Sequence, residues 1–136
     1  LADPAECAAM SALGVDLLAA SIGNMHGAYP PDWKGLNFQL LEAVREASGE
    51  VPLVLHGGSG IPEESIRQAI GMGVCKINVN SECREAFHEA TRRFFLDGLD
   101  QKDPACMQLI TLQPGLAAVK EVCIGKMRLF GCTGKA

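Results

Sequence analysis

His26 and His56 each follow a short apolar run and each precede a glycine. Neutral imidazole is a good zinc ligand, and a catalytic zinc usually takes three protein ligands and keeps one position open. Two histidines on neighbouring strand ends could share one metal, with the third ligand supplied from elsewhere. On the residues alone the alternative is a hydrogen-bonded pair at the rim of a pocket, because no compact HExxH pattern is present. His88 falls inside a helical stretch and reads as a surface residue.

Beside the histidines lie residues suited to an anion. Gly57, Gly58, Ser59 and Gly60 run from a strand towards a helix. Glycines let backbone N–H groups approach a phosphate closely, and a following helix N-terminus adds partial positive charge. Asn78, Asn80 and Ser81 add polar donors on the next strand end. Two adjacent loops of this kind match the phosphate site that many barrels build after their last strands. A glycine turn plus a helix cap at Asn80 or Ser81 would leave the same pattern. The stretch 131–135 has the look of a nucleotide loop, but no helix follows it to bind phosphate. Tyr29 and Trp33 flank the His26 loop and are expected to pack on the next helix rather than form a lid.

These side chains need a scaffold, and the sequence punctuates one. Asp3, Pro4 and Glu6 make a helix start, with Asp3 as cap and Glu6 completing a capping box, and Gly14 is placed to end the helix. Residues 15–21 form a buried strand leading to His26. A helix over 37–47 places Leu40, Leu41, Val44 and Ala47 on one face. A strand over 51–55 leads to His56, and Pro62 opens a helix lined by Ile66, Ala69 and Ile70. A strand over 74–79 leads into a helix ending near Gly98. Residues 100–103 read as a polar linker and 104–110 as a short helix. Leu116, Val119, Cys123, Met127 and Phe130 mark a last amphipathic helix.

Three strand–loop–helix units in a row imply an α/β fold with a parallel sheet. The strands are apolar throughout, as befits a sheet covered on both faces. An open doubly wound sheet and part of an eight-stranded barrel both fit. A complete barrel needs about 250 residues, so 136 residues hold only a portion. In such folds the C-terminal strand ends form the working face, and His26, His56, Ser59, Asn78, Asn80 and Ser81 all follow those ends.

Composition excludes several classes. With 48% hydrophobic and 21% charged residues the chain is an ordinary globular one. A net charge of −4 without a basic stripe speaks against a nucleic-acid partner. No run approaches the roughly 20 apolar residues of a membrane span. The start, Leu1-Ala2-Asp3-Pro4, has no signal core and no initiator methionine, so the chain is expected to begin partway through a longer protein. Six cysteines without a CxxC pair suggest a reducing, cytoplasmic compartment.

The stretch 22–29, with Gly23, Asn24, His26, Gly27 and Tyr29, resembles the second zinc-histidine loop of class II fructose- and tagatose-bisphosphate aldolases. The stretch 53–62 resembles their third zinc-histidine loop, and 76–82 is similar to their substrate-binding strand. The tail over 126–136 resembles the family's C-terminus. The resemblance runs in order along essentially the whole chain. It implies the C-terminal portion of a (β/α)8 TIM barrel, with 1–136 a single partial domain, βα units over 1–98 and a helical extension over 99–136.

It also implies a carbon–carbon lyase of glycolysis: reversible, zinc-dependent aldol cleavage of fructose or tagatose 1,6-bisphosphate to dihydroxyacetone phosphate and glyceraldehyde 3-phosphate. His26 and His56 would bind Zn2+. Gly27, Gly57, Gly58, Ser59, Asn78, Asn80 and Ser81 would hold the dihydroxyacetone-phosphate end, beside a monovalent cation common in the family. A Lewis acid that polarises the ketone suits that reaction. The family's first zinc histidine and its proton-handling aspartate lie on earlier strands, and no Asp-His pair occurs here. The chain alone is therefore expected to be inactive, and the complete enzyme a homo-oligomer. Asn80 stands where the fructose-specific branch often has Asp, which leaves the choice of ketose open. The alternative is a noncatalytic sugar-phosphate-binding barrel domain of a larger metabolic fusion protein.

Overall fold

The three apolar runs pair side by side. In the computed structural model, β1 (Leu18–Ala19), β2 (Leu53–Leu55) and β3 (Val74–Ile77) form a parallel sheet in the order β1-β2-β3. The structure describes residues 1–102 and 108–135. Leu18 pairs with Leu53 and Ala19 with Val54, while Leu55 pairs with Ile77 across a register shift between Leu53 and Val54. The strands are shorter than the apolar runs suggest. Pro52 has no N–H, so the ladder of β2 cannot extend backwards through it as a donor, although its carbonyl still accepts from Leu18 N–H at 3.0 Å.

Helices α1 (Pro4–Ser11), α2 (Phe38–Ser48) and α3 (Glu63–Gly71) alternate with these strands. Their starts follow from side-chain chemistry. Asp3 Oδ1 accepts from the N–H groups of Ala5 and Glu6 at 2.7 and 3.3 Å, and Asn37 Oδ1 accepts from Leu40 N–H at 2.9 Å. Each bond satisfies a donor that the first helical turn leaves without a partner. The central strand β2 is buried along its length. Around it Ile22, Leu41, Val44, Leu55 and Ile66 are fully buried, so the core lies directly under the strand ends that carry the histidines. Each such side chain contributes about 1.5–3 kcal/mol of burial free energy.

The chain divides into two compact units, Leu1–Asn80 and Ser81–Ala136. That division falls ahead of the 98/99 position expected for the helical extension. The second unit contains α4 (Ser81–Leu96), one 3-10 turn (Leu99–Gln101) and α5 (Gln108–Leu129). The sequence predicts a short helix over 104–110 and a separate last helix; residues 103–107 lie outside the described residues, and α5 runs as one helix from Gln108 through Pro114. Proline removes one helical hydrogen bond, but Gly115 beside it lets α4 pack closely. A β-carbon on Gly115 would lie 2.5 Å from Phe87 Cδ2. Lys126 Nζ and Glu82 Oε2, 2.6 Å apart, pair across the same two helices.

Several large apolar side chains remain exposed, among them Leu13, Leu17, Leu96 and Leu116. Among the described residues β1 and β3 each have a strand neighbour on one side only. No described helix is long and apolar enough to cross a membrane.

Candidate metal and substrate site

Each histidine sits on the loop just beyond its strand, and the parallel pairing of β1 and β2 brings those loops together. His26 Nε2 lies 3.3 Å from His56 Nδ1, with ring centroids 5.4 Å apart and planes at 88°. Two nitrogens held about 2.05 Å from one ion at a tetrahedral angle are themselves separated by about 3.3 Å. The donor set therefore fits a shared divalent ion. Among the described residues no group of three His, Cys, Asp or Glu side chains converges, so no third ligand of these types joins the pair there.

Asn78, at the end of β3, faces the same point. Its Nδ2 lies 3.1 Å from His56 Nδ1 and 3.3 Å from His56 Nε2. Lys76 Nζ donates to Asn78 Oδ1 at 2.5 Å, which fixes the amide with its nitrogen towards the imidazole. An open pocket of about 260 Å³ adjoins the pair, lined by Ala19, Ala20, Ser21, Asn24, Met25, His26 and His56.

The two loops are bonded to each other as well as to their strands. Asn24 Oδ1 accepts from Ile22 N–H at 2.8 Å, while Asn24 Nδ2 donates to the His56 carbonyl at 3.2 Å. Tyr29 Oη lies 3.3 Å from Met25 N and 2.9 Å from the Gly57 carbonyl. Burial pushes the Tyr29 hydroxyl above the ordinary tyrosine value, and the Met25 N–H draws it part of the way back. The Trp33 and Tyr29 rings pack at a 46° tilt with centroids 4.1 Å apart, and Trp33 donates through Nε1 to the Gly23 carbonyl at 2.8 Å. Both aromatic side chains thus bond to the loops that carry the histidines.

The expected anion-binding residues take different places. Gly57 adopts φ +64° and Gly27 φ +94°, conformations glycine reaches without penalty. Gly58 N–H already donates to the Asn78 carbonyl at 2.8 Å. A β-carbon there would approach Ile77 Cγ2 to 2.5 Å, so Gly58 serves close approach of the two loops. Ser59 is buried, whereas Asn80 is exposed. Ser81 is the first residue of α4, directly after Asn80. Sequence inspection missed Lys76, Asn24 and Tyr29 as organisers of the site. Their residue types were visible, but their partners lie on loops brought together only by strand pairing.

Comparison with known proteins identifies the family and the fold. A family model described as "Fructose-bisphosphate aldolase class-II" matches residues 1–135. Fructose-bisphosphate aldolase of Mycoplasma pneumoniae is 45% identical over 138 residues, covering 100% of this chain and 48% of the relative. That of Streptococcus pneumoniae serotype 4 is 43% identical over 145 residues, again with 100% and 48% covered. Among solved structures, the YdjI aldolase from Escherichia coli K12 superposes with a TM-score of 0.78 at 38% identity, covering 98% of this chain and 45% of that one. A putative fructose-1,6-biphosphate aldolase from Coccidioides immitis gives a TM-score of 0.76 at 30% identity, covering 99% and 45%. The chain spans about half the length of the curated relatives it matches. Its parallel strands and helices are those of part of a (β/α)8 barrel. The chain belongs to the class-II fructose-bisphosphate aldolase family.

Proposed function

We propose that this chain is the C-terminal part of a ketose-bisphosphate aldolase, and that it supplies two metal ligands and the phosphate-side loops of the active site. The reaction is reversible cleavage of fructose or tagatose 1,6-bisphosphate to dihydroxyacetone phosphate and glyceraldehyde 3-phosphate. The observation that carries this is the 3.3 Å separation of His26 Nε2 and His56 Nδ1 within a family-matched chain. Zinc is the natural ion for a histidine set with an open position. When bound, such an ion supplies Lewis-acid stabilisation of negative charge developing on the ketone oxygen.

The chain's own residues orient the substrate and hold the ligands. His26 and His56 present their facing nitrogens as the proposed ligand atoms. Asn78 offers an amide beside them, where it can hydrogen-bond a substrate hydroxyl or carbonyl. Gly27, Gly57, Ser59, Asn80 and Ser81 are the proposed contacts to the phosphate, with Gly58 contributing closeness of backbone rather than its N–H, which is already bonded. Holding the phosphate at one end fixes the distance of the reacting carbonyl from the histidines. A monovalent cation near these backbone groups would complete the anion site. The third ligand and the proton-transferring carboxylate come from the part of the barrel outside these residues, so the chain by itself is expected to show no turnover. The complete enzyme is proposed to be a cytoplasmic homo-oligomer.

The test is metal content and aldol turnover of the full-length protein. Chelation should abolish cleavage of fructose 1,6-bisphosphate and zinc should restore it. His26→Ala and His56→Ala should each lose bound metal. Unchanged metal stoichiometry in both variants would overturn the assignment.

A further inference from the structure

We infer that Tyr29 is a positioning residue, whose hydroxyl holds the two imidazoles at ligand separation by joining the loops that carry them. The inference rests on His26 and His56 being metal ligands. Met25 immediately precedes His26, and Gly57 immediately follows His56. The Tyr29 oxygen bonds to both flanking residues, at 3.3 Å to Met25 N and 2.9 Å to the Gly57 carbonyl. The roles are fixed by chemistry. An amide N–H only donates and a carbonyl only accepts, so the hydroxyl accepts from Met25 and donates its single proton to Gly57.

Three further features give this bridge its consequence. The loops touch at glycine distance, because a β-carbon on Gly57 would overlap the Met25 carbonyl oxygen. The phenol cannot swing freely, since the Trp33 ring packs against it and is itself bonded to Gly23. His26 is exposed, so its placement depends on its backbone rather than on packing around the ring. Asn24 makes a second join between the loops, from the His26 side to the His56 carbonyl, whereas Tyr29 bonds at the residues directly flanking both imidazoles. Groups that orient metal ligands without touching the ion typically change metal affinity about 10- to 100-fold when removed.

Tyr29→Phe keeps the ring and its contact with Trp33 while deleting both bonds. In the full-length protein, affinity for Zn2+ is measured by competition with a chromophoric chelator, and the site is loaded with Co2+ to read its visible spectrum. The expected result is a fall in affinity of about 10-fold or more, with an altered cobalt spectrum and turnover that recovers at saturating zinc. Unchanged affinity and spectrum in Tyr29→Phe would overturn the inference. His26→Ala separates the two levels. If it loses metal while Tyr29→Phe does not, the bridge is wrong and the ligand assignment stands; if neither loses metal, the ligand assignment has failed. Should Tyr29→Phe melt below the assay temperature, Trp33→Phe replaces it, since it retains the hydroxyl but removes the bond to Gly23. A smaller loss of affinity is then expected, and no loss overturns the proposal.

Discussion

A β-carbon on Gly57 would fall onto the carbonyl oxygen of Met25. The two histidine loops therefore cross at a point where only a hydrogen fits, one residue from each proposed ligand. The same glycine holds φ +64°, which L side chains rarely adopt.

Gly57→Ala should accordingly suffer twice, from backbone strain of about 1–3 kcal/mol and from forced separation of the loops. Gly60→Ala is the matched control. Its φ is +81°, but a β-carbon there meets nothing nearer than Tyr29 Cδ2 at 3.5 Å. Both variants should melt below the parent protein, while Gly57→Ala alone should also release metal. Equal metal retention in the two would show that the crossing does not set the histidine spacing.

The Tyr29 hydroxyl gives a pH signature. Burial raises its pKa above the ordinary 10.0, so the folded state holds the proton more tightly than the unfolded chain. Its contribution to stability is complete below pH 10 and is lost as the pH rises through the folded-state value. Loss of the proton also removes the donor to Gly57. The difference in phenolate absorbance between the parent and Tyr29→Phe should therefore develop above the ordinary tyrosine range, together with a drop in melting temperature. Titration at or below pH 10 would contradict this.

Much of this site is legible in the amino-acid sequence, and the reason is topological. Parallel strands put their C-terminal ends on one face, so His26, His56 and Asn78 could be grouped from strand order alone. The ties between the loops were not legible. Asn24 bonds to a carbonyl 32 residues away, and Tyr29 to one 28 residues away. Local spacing carries no trace of such partners. Gly58 misled for a related reason: a glycine that lets an anion approach and one that lets a neighbouring strand approach look alike in a sequence. At the other end, the sequence reads a short helix over 104–110 apart from the last one, whereas α5 is a single helix from Gln108 that packs on α4 at Gly115.

Two cysteines on those helices should differ in reactivity. Cys123 is exposed, while Cys83 is half-buried beside it. Burial is the main force raising the Cys83 thiol above the ordinary 9.0, helped by Cys123 and opposed only weakly by Lys126. The thiolate is the nucleophile. Iodoacetamide at neutral pH should therefore alkylate Cys123 ahead of Cys83, as read by peptide mass mapping. Labelling of Cys83 should gain only as the pH passes 9.0. Faster labelling of Cys83 at neutral pH would show that burial does not control it.

Helix α5 offers a comparison within one element. An exposed or roomy helical glycine replaced by alanine should stabilise by about 0.5–1 kcal/mol, because alanine loses less backbone entropy on folding. Gly125 meets that condition, with no atom within 4 Å of an added β-carbon. Gly115 does not. Its β-carbon would press on Phe87 at 2.5 and 2.6 Å and on Thr91 Oγ1 at 2.7 Å. Overpacking of this kind costs about 1–3 kcal/mol, enough to outweigh the helical gain. Gly125→Ala should raise the melting temperature and Gly115→Ala should lower it. Adding Phe87→Leu to Gly115→Ala removes the ring atoms in the way, so the pair should be less destabilised than the sum of the two single changes. Strict additivity would mean that Gly115 and Phe87 do not meet across α4 and α5.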